Sequence, residues 1–469
     1  MEEKYRIEKD FLGEKEIEKD AYYGIQTLRA KENFDITHTD ISLFPNFIKS
    51  LAKVKKACAL TNFELGDLND RQRDAIIQAC NEIIDGKFHD QFIVDPIQGG
   101  AGTSTNMNAN EVIANRALEI LGEKRSSYHI IHPNNHINMS QSTNDVYPTA
   151  IKLTLHELIY KLKDSLRFLR DTFNDKAIEF KDVLKMGRTQ LQDAVPMTLG
   201  QEFKTYAVMI DEDIFRLRDA QAMLKEVNLG ATAIGTGINT KDRYQRKVIS
   251  NLREVTGVDY ISAGDLIEAT QDTGAFVHIS GILKRVAIKI SKICNDLRLL
   301  SSGPRAGFNE INLPKMQPGS SIMPGKVNPV IPEVVNQVAF EVIGADVTIS
   351  MACEGGQLQL NVFEPLVAYK LFTSINMMRR SFYTLGEKCI KGITANEDVC
   401  MENILNSVTI VTSLNPILGY ETCSAIAKEA LSTNRRVYDI VLEQELIPKE
   451  ELDKLLHPKN MVHNYKEIL

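Results

Sequence analysis

The sequence predicts a mainly helical protein organised around a bundle of long helices. Between residues 143 and 398, apolar residues recur at helical spacing over stretches of about 25 residues, twice the usual helix length of about 11 to 12. The clearest seam alternates in steps of three and four: Phe276, Ile279, Leu283, Val286, Ile290, Ile293, Leu297 and Leu300. Such a seam is typical of bundled helices. Apolar residues are so frequent on these helices that we expect oligomerisation through the bundle.

We predict three domains in chain order. Residues 1–142 form an N-terminal mixed and helical domain, residues 143–398 the central long-helix bundle, and residues 399–469 a small C-terminal helical domain. In the first domain, residues 13–34 indicate turns and an extended segment, and a glycine-rich loop from Gln98 leads into a helix. The predicted helices cover about 45–65, 70–85, 110–121, 151–173, 198–228, 276–300, 332–343, 365–391, 399–414, 420–431 and 437–444, with a last one opening at Pro448.

Composition limits the partners and the location. The 469 residues are 43% hydrophobic and 25% charged, as in a soluble globular protein, and the net charge of −7 argues against a nucleic acid partner. The first ten residues lack the apolar core of a signal peptide, and no run approaches the roughly 20 apolar residues of a membrane helix. We therefore expect no membrane partner. The seven cysteines form no Cys-x-x-Cys pair, so we also expect reduced thiols, a cytoplasmic location and no structural metal site.

Four polar loops each precede a long element. They begin at Gln98, Ser140, Gly187 and Gln317. Helix starts attract anions, because their first N–H groups are unpaired and carry partial positive charge.

Considered singly, these polar residues have simpler structural interpretations. Ser142 and Thr143 are typical helix caps, Thr189 is typical of a satisfied loop hydroxyl, and Arg188 of an ion-pair partner. We expect structural or surface roles for His132 and His136, because no partner pattern supports catalysis.

The fourth loop carries the most specific pattern. Residues 317–328 read Gln-Pro-Gly-Ser-Ser-Ile-Met-Pro-Gly-Lys-Val-Asn, and their glycines and prolines predict a mobile but shaped loop. This run resembles the signature of the fumarase/aspartase superfamily, Gly-Ser-Ser-x-Met-Pro-x-Lys-x-Asn. Residues 101–111, 140–145 and 187–193 resemble the other three active-site segments of that superfamily, in the same order. The resemblance covers nearly the whole chain and is closest to the branch that deaminates L-aspartate.

The resemblance implies an all-α homotetramer with a multi-helix core and active sites shared between subunits. It also implies reversible elimination of ammonia from L-aspartate to give fumarate, with no cofactor required for the chemistry. Activation by a divalent cation such as magnesium stays open. By the same resemblance, Ser320 is the base that removes the Cβ proton. The implied substrate contacts are Ser142, Thr143 and Ser321 for the β-carboxylate, Thr189, Lys326 and Asn328 for the α-carboxylate, and Thr103, Asn144 and Gln190 for the amino group.

Gln190 departs from much of the superfamily, in which a histidine commonly occupies this position. Glutamine cannot donate a catalytic proton, but ammonia leaves without one, whereas a hydroxyl leaving group needs protonation. Gln190 therefore favours the ammonia-lyase over the alternative, a class II fumarate hydratase. It also leaves Glu333, the position of a relay glutamate in fumarases, without an assigned role. A helical scaffold that has lost the chemistry is a more distant alternative, because Ser320 and Lys326 both match the signature.

Overall fold

A computed structural model describes residues 4–457 together with Asn460 and Val462, and it confirms the predicted helical class. Its α-helices are α1 Ile25–Asn33, α2 Pro45–Glu64, α3 Asp70–Ile84, α4 Thr103–Ile120, α5 Thr143–Glu179, α6 Leu199–Met223, α7 Tyr244–Thr256, α8 Leu266–Gln271, α9 Gly274–Leu300, α10 Val330–Glu354, α11 Glu364–Lys388, α12 Glu397–Asn406, α13 Asn415–Thr433, α14 Val437–Glu443 and α15 Lys449–Leu455. The described strands form four two-stranded pairs. The antiparallel pairs are β1 Tyr5–Asp10 with β2 Gly13–Glu18, β3 Leu184–Thr189 with β4 Gln192–Thr198, and β7 Ile311–Asn312 with β8 Thr394–Ala395, and the parallel pair is β5 Glu226–Val227 with β6 Ile261–Ser262.

The predicted long helices are α5, α6, α9, α10 and α11, of 37, 25, 27, 25 and 25 residues. Every residue of the predicted seam on α9 is at most 5% exposed, so the periodicity identified the buried face correctly. The long helices also keep large apolar side chains at the surface of the single chain. On α10, Phe340 is 61% exposed and Met351 is 70% exposed.

Among the described helices, α10 alone is long and apolar enough to pass a composition test for a membrane span. The helix nevertheless buries polar groups that are paired with its neighbour α9. Asp346 accepts a hydrogen bond from Ser280 at 2.7 Å and forms an ion pair with Lys284 at 2.6 Å. Asn336 donates to the backbone carbonyl of Ser291 at 3.1 Å. These contacts are those of a helix inside a protein bundle.

Four local predictions were wrong. The polar segment that begins at Gly187 was predicted as a loop, but it forms most of the β3–β4 hairpin, in which backbone pairing satisfies its N–H and C=O groups. The segment 13–34 contains strand β2 and helix α1 rather than turns and an extended segment alone. Helix α4 begins at Thr103 rather than Asn110, because its first turns consist of threonine and asparagine, which usually favour loops, and those side chains find buried partners here. Helix α6 ends at Met223, and the buried Val227 belongs to β5.

The chain divides into two compact units. The first consists of the chain up to Lys163 with Phe215–Arg285 and Glu341–Met377, and the second of Asp164–Ile214, Val286–Phe340 and the chain from Met378 onward. In the second unit, the β3 strand packs on the C-terminal helices in one apolar cluster that includes Met186, Leu414 and Ile440. The predicted division at residues 142/143 and 398/399 stays a prediction.

Candidate active site

In the first unit, a glycine-rich turn begins α4 at Thr103. The backbone of Gly102 has φ +91°, and a Cβ on this residue would lie 2.5 Å from the Tyr147 ring, so only glycine fits. Thr103 is exposed at the first helical position, and its hydroxyl donates to the carbonyl of Gly100 at 2.8 Å. A ligand can reach this threonine without any movement of buried groups.

The start of α5 places Ser142, Thr143 and Asn144 in one turn. The Ser142 hydroxyl accepts a hydrogen bond from the backbone N–H of Asn144 at 3.2 Å, which confirms its predicted capping geometry. The Asn144 side chain donates to the carbonyl of Ala233 at 2.7 Å. The Thr143 hydroxyl accepts from the Asn106 amide at 3.1 Å, and this threonine is only 8% exposed. Each of these side chains is therefore held in one orientation before any ligand arrives.

A buried polar network lies beneath this turn. The Lys55 ammonium, 1% exposed, donates to the side-chain oxygens of Asn138 at 3.0 Å and Gln141 at 2.8 Å. The same Asn138 oxygen accepts from Asn106 and Asn110, both on α4. Burial lowers the pKa of Lys55 to about 8, so a largely protonated cation is enclosed behind the start of α5.

Asp145 holds a second loop against the same helix start. Its fully buried carboxylate accepts from the backbone N–H groups of Ser142, Gly230 and Thr232, each at 3.0 Å. Burial raises the pKa of Asp145 to about 6, although these donors favour its ionised form. Asp145 and Lys55 have clear positioning roles that the sequence analysis missed. In the sequence, this network could have been recognised from Asn106 and Asn110, two asparagines one helical turn apart.

In the second unit, Thr189 and Gln190 lie at the tip of the β3–β4 hairpin. Gln190 and Leu191 form its two-residue turn and have φ +53° and +63°. Such a turn favours asparagine and glycine, because positive φ is unfavourable for other residues. Both Thr189 and Gln190 are exposed. Backbone strain held at an exposed tip is common where a side chain must be presented to a ligand.

The loop of residues 317–328 is closed at its base, its residues 321–327 are exposed, and Ser320 is half-buried. The N–H of Gly319 donates to the carbonyl of Lys326 at 2.8 Å, and the Asn328 amide donates to the carbonyl of Gly319 at 2.7 Å. The Ser320 hydroxyl accepts from the backbone N–H groups of Met323 at 2.9 Å and Ile322 at 3.2 Å. Ser321 and Lys326 are exposed beside it. Two donors directed at one hydroxyl oxygen would stabilise negative charge on that oxygen.

Arg188, His132 and His136 make structural contacts beside these segments. Arg188 forms an ion pair with Glu310 at 2.6 Å, as predicted for a structural partner. His132 accepts from the N–H groups of Asn134 and Asn135, and His136 accepts from the N–H of His132, so both rings are engaged in local structure. The predicted site residues thus fall into two groups. Thr103, Ser142, Thr143 and Asn144 belong to the first unit, and Thr189, Gln190, Ser320, Ser321, Lys326 and Asn328 to the second.

Comparison with known proteins identifies the family of this chain. The sequence model of the family described as Lyase matches residues 13–344, and the model described as Fumarase C C-terminus matches residues 410–463. The chain belongs to the fumarase/aspartase superfamily. It is 60% identical to an aspartate ammonia-lyase of Helicobacter pylori over 98% of this chain and 99% of that protein.

Two solved structures of the superfamily share the fold. A Brucella melitensis protein described as fumarate lyase:delta crystallin, bound to cobalt, is 51% identical with a TM-score of 0.96, over 98% of this chain and all of that one. A class II fumarase from Schistosoma mansoni is 34% identical with a TM-score of 0.93, over the same shares. The fold is therefore common to members with different printed names. The identity is higher to the ammonia-lyase than to the fumarase.

Proposed function

We propose that this enzyme catalyses the reversible deamination of L-aspartate to fumarate and ammonia, with Ser320 as the base. The observation that carries the mechanism is the pair of backbone N–H groups directed at the Ser320 oxygen on the signature loop. The identity of 60% to an aspartate ammonia-lyase over nearly the full length supports the reaction.

The difficult step is removal of a weakly acidic proton from the carbon beside the β-carboxylate. A serine hydroxyl is a poor base unless its alkoxide is stabilised. The N–H groups of Ile322 and Met323 provide that stabilisation locally, and Lys326 follows on the same loop. Closure of the loop over the substrate would remove water and strengthen these interactions.

The doubly charged enediolate that follows needs donors already in place. Ser142 and Thr143 lie at the positive end of the 37-residue helix α5, and Ser321 would complete the set for the β-carboxylate. The α-carboxylate would be held by Thr189, Lys326 and Asn328. The amino group would be surrounded by Thr103, Asn144 and Gln190. A small dicarboxylate is thus bound by hydroxyls, amides, one cation and a helix dipole, and the proton transfer requires no cofactor.

Gln190 favours ammonia over water as the leaving group. An amide side chain can orient an amino group by hydrogen bonding, but it cannot supply the proton that hydroxide departure requires. Its position on a hairpin turn with positive φ supports a presenting role rather than a packing role. Fumarate hydration is therefore the less favoured reaction.

We also propose a cytoplasmic homotetramer whose active sites are completed between subunits. The exposed apolar side chains of α10, which include Phe340, Val347 and Met351, support association through the long helices. All seven cysteines are free thiols, which fits a reducing compartment. Sharing of active sites would bring the site residues of the first unit in one subunit to those of the second unit in others.

The decisive experiment gives the purified protein L-aspartate or L-malate and follows fumarate by its ultraviolet absorbance, with and without magnesium. We expect fumarate from L-aspartate at a rate at least about 100-fold above that from L-malate. Fumarate from malate alone would establish the hydratase instead, and no product from either would favour a scaffold. The comparison of rates with and without magnesium shows whether this cation activates the enzyme, independently of which substrate reacts. Size-exclusion chromatography with light scattering tests the tetramer.

A further inference from the structure

The second unit contains a buried charge cluster that lies next in sequence to the Thr189–Gln190 hairpin tip and ahead of the Ser320 loop. Glu310 is fully buried, and its carboxylate forms ion pairs with Arg188 at 2.6 Å and Lys185 at 2.9 Å. Lys185 also pairs with Glu202 at 2.5 Å. Burial alone would lower the pKa of Lys185, but Glu202 and Glu310 outweigh it and the pKa is raised. The positive charges of Lys185 and Arg188 therefore neutralise the negative charges of Glu202 and Glu310.

Within this cluster, Arg188 orients the tip of the β3–β4 hairpin. Arg188 directly precedes Thr189 and Gln190 on β3, and its guanidinium lies over the Phe308 ring at 4.4 Å as well as against Glu310. The strand is irregular between Met186 and Arg188, so the ladder alone does not fix the direction of the tip. The ion pair and the ring contact supply that constraint.

The backbone of Glu310 is anchored ahead of the serine loop. The backbone N–H of Glu310 donates to the carbonyl of Leu300 at the end of α9, and its carbonyl accepts from the N–H of Asn396, both at 2.9 Å. Strand β7 follows at once and pairs with β8. Ser320 lies only ten residues further along the chain. The anchored segment 310–312 is therefore the last fixed point of the chain before this loop.

We propose that Glu310 is a positioning residue of the reaction, which sets the Thr189–Gln190 tip and the Ser320 loop in one frame. This inference rests on the proposed function for its kinetic consequences. Glu310 also neutralises Arg188, so this cation orients the hairpin instead of competing with Lys326 for a substrate carboxylate. Because Glu310 touches no reacting atom, its loss misplaces the substrate-binding and base-bearing segments while leaving their side chains intact.

The test compares Glu310→Gln and Arg188→Gln with a matched control, Glu82→Gln. Glu82 also forms a shielded ion pair, with Arg116 at 2.6 Å, on helices α3 and α4 of the first unit. We expect kcat for L-aspartate to fall about 100-fold in Glu310→Gln and about 10-fold in Arg188→Gln, with a smaller rise in KM of at most about 10-fold. Glu82→Gln should match them in lowered Tm but keep kcat. If Glu310→Gln does not fold, Arg188→Gln carries the test, since it leaves the buried Glu310–Lys185 pair intact.

A second measurement does not depend on activity. Amide hydrogen exchange should become at least about 10-fold faster in both segments, residues 187–193 and 313–328, in the two cluster variants and in neither segment of the control. Unchanged kcat, or faster exchange in only one segment, would overturn the inference. Wild-type protein without activity on L-aspartate would refute the proposed function instead, and the exchange experiment would still decide the positioning role.

Discussion

The start of α5 and the loop of residues 317–328 differ in how firmly their side chains are held. Thr143 is 8% exposed and Asp145 fully buried, within a network that includes a buried ammonium. In the loop, Ile322 is 83% exposed, and the described contacts of Ser320 come from the loop itself. The side chains of the first region are fixed before any ligand arrives, whereas the second has a fixed local shape on an exposed segment. The difference supports the proposal that the carboxylate-binding side chains are preorganised and that Ser320, as the proposed base, reaches the substrate when the loop closes.

The strongest test of the loop's role is Ser320→Ala. We expect kcat to fall about 1000-fold with Tm unchanged, because the hydroxyl is the proposed base and makes only local contacts within the loop. The assay is fumarate release from L-aspartate. Gln317→Ala, an exposed loop residue without an assigned role, is the control and should stay near wild type. Full turnover by Ser320→Ala would refute the base assignment.

Preorganisation of the α5 start should be visible in the pH dependence of stability through Asp145. Its folded pKa of about 6 lies above the ordinary value of 3.8, so its contribution is fully present below about pH 4 and is lost as pH rises through 6. The free energy of unfolding of wild type, minus that of Asp145→Asn, should therefore fall by about 2 kcal/mol between pH 4 and pH 7. Urea unfolding at four pH values measures this difference. A flat difference would contradict the burial argument.

A pair of glycine substitutions tests whether the shape of the loop matters as well as its serine. A Cβ at Gly319 would lie 2.6 Å from the Lys326 carbonyl and 2.7 Å from the Asn328 nitrogen, so Gly319→Ala must distort the loop base. We expect kcat to fall about 30-fold, since a misplacement of about 1 Å costs up to about 100-fold. Gly325→Ala is the comparison. Its φ is +82° but its Cβ would meet open space, and its kcat should fall less than 5-fold. If kcat fell equally in both variants, backbone strain alone would explain the loss, and the close contacts at Gly319 would have no separate effect.

The smallest expected effect concerns the hydroxyl at the α5 start. Thr143→Val removes the acceptor of the Asn106 amide, and we expect KM for L-aspartate to rise about 10-fold and the free energy of unfolding to fall by about 1 kcal/mol. Thr149→Val on the same helix is the control. The Thr149 hydroxyl is buried without a described partner, so its removal should leave stability equal or higher. Steady-state kinetics with L-aspartate and urea unfolding measure the two effects.

The sequence by itself determined the class of fold, the long helices and the signature loop. Apolar spacing depends on helix geometry, which is local, so the eight seam residues of α9 could be identified as buried without coordinates. It could not place the start of α4, because threonine and asparagine favour a helix only when their side chains find partners elsewhere.

Tertiary structure alone decided which polar residues position the others. Lys55, Asp145 and Glu310 are separated in sequence from most of the groups that they hold, and nothing in their local spacing distinguishes them from surface charges. Burial makes them important, since a charge removed from water must be paired or hydrogen-bonded. That requirement is met only when distant segments fold together, and no local pattern in the chain expresses it.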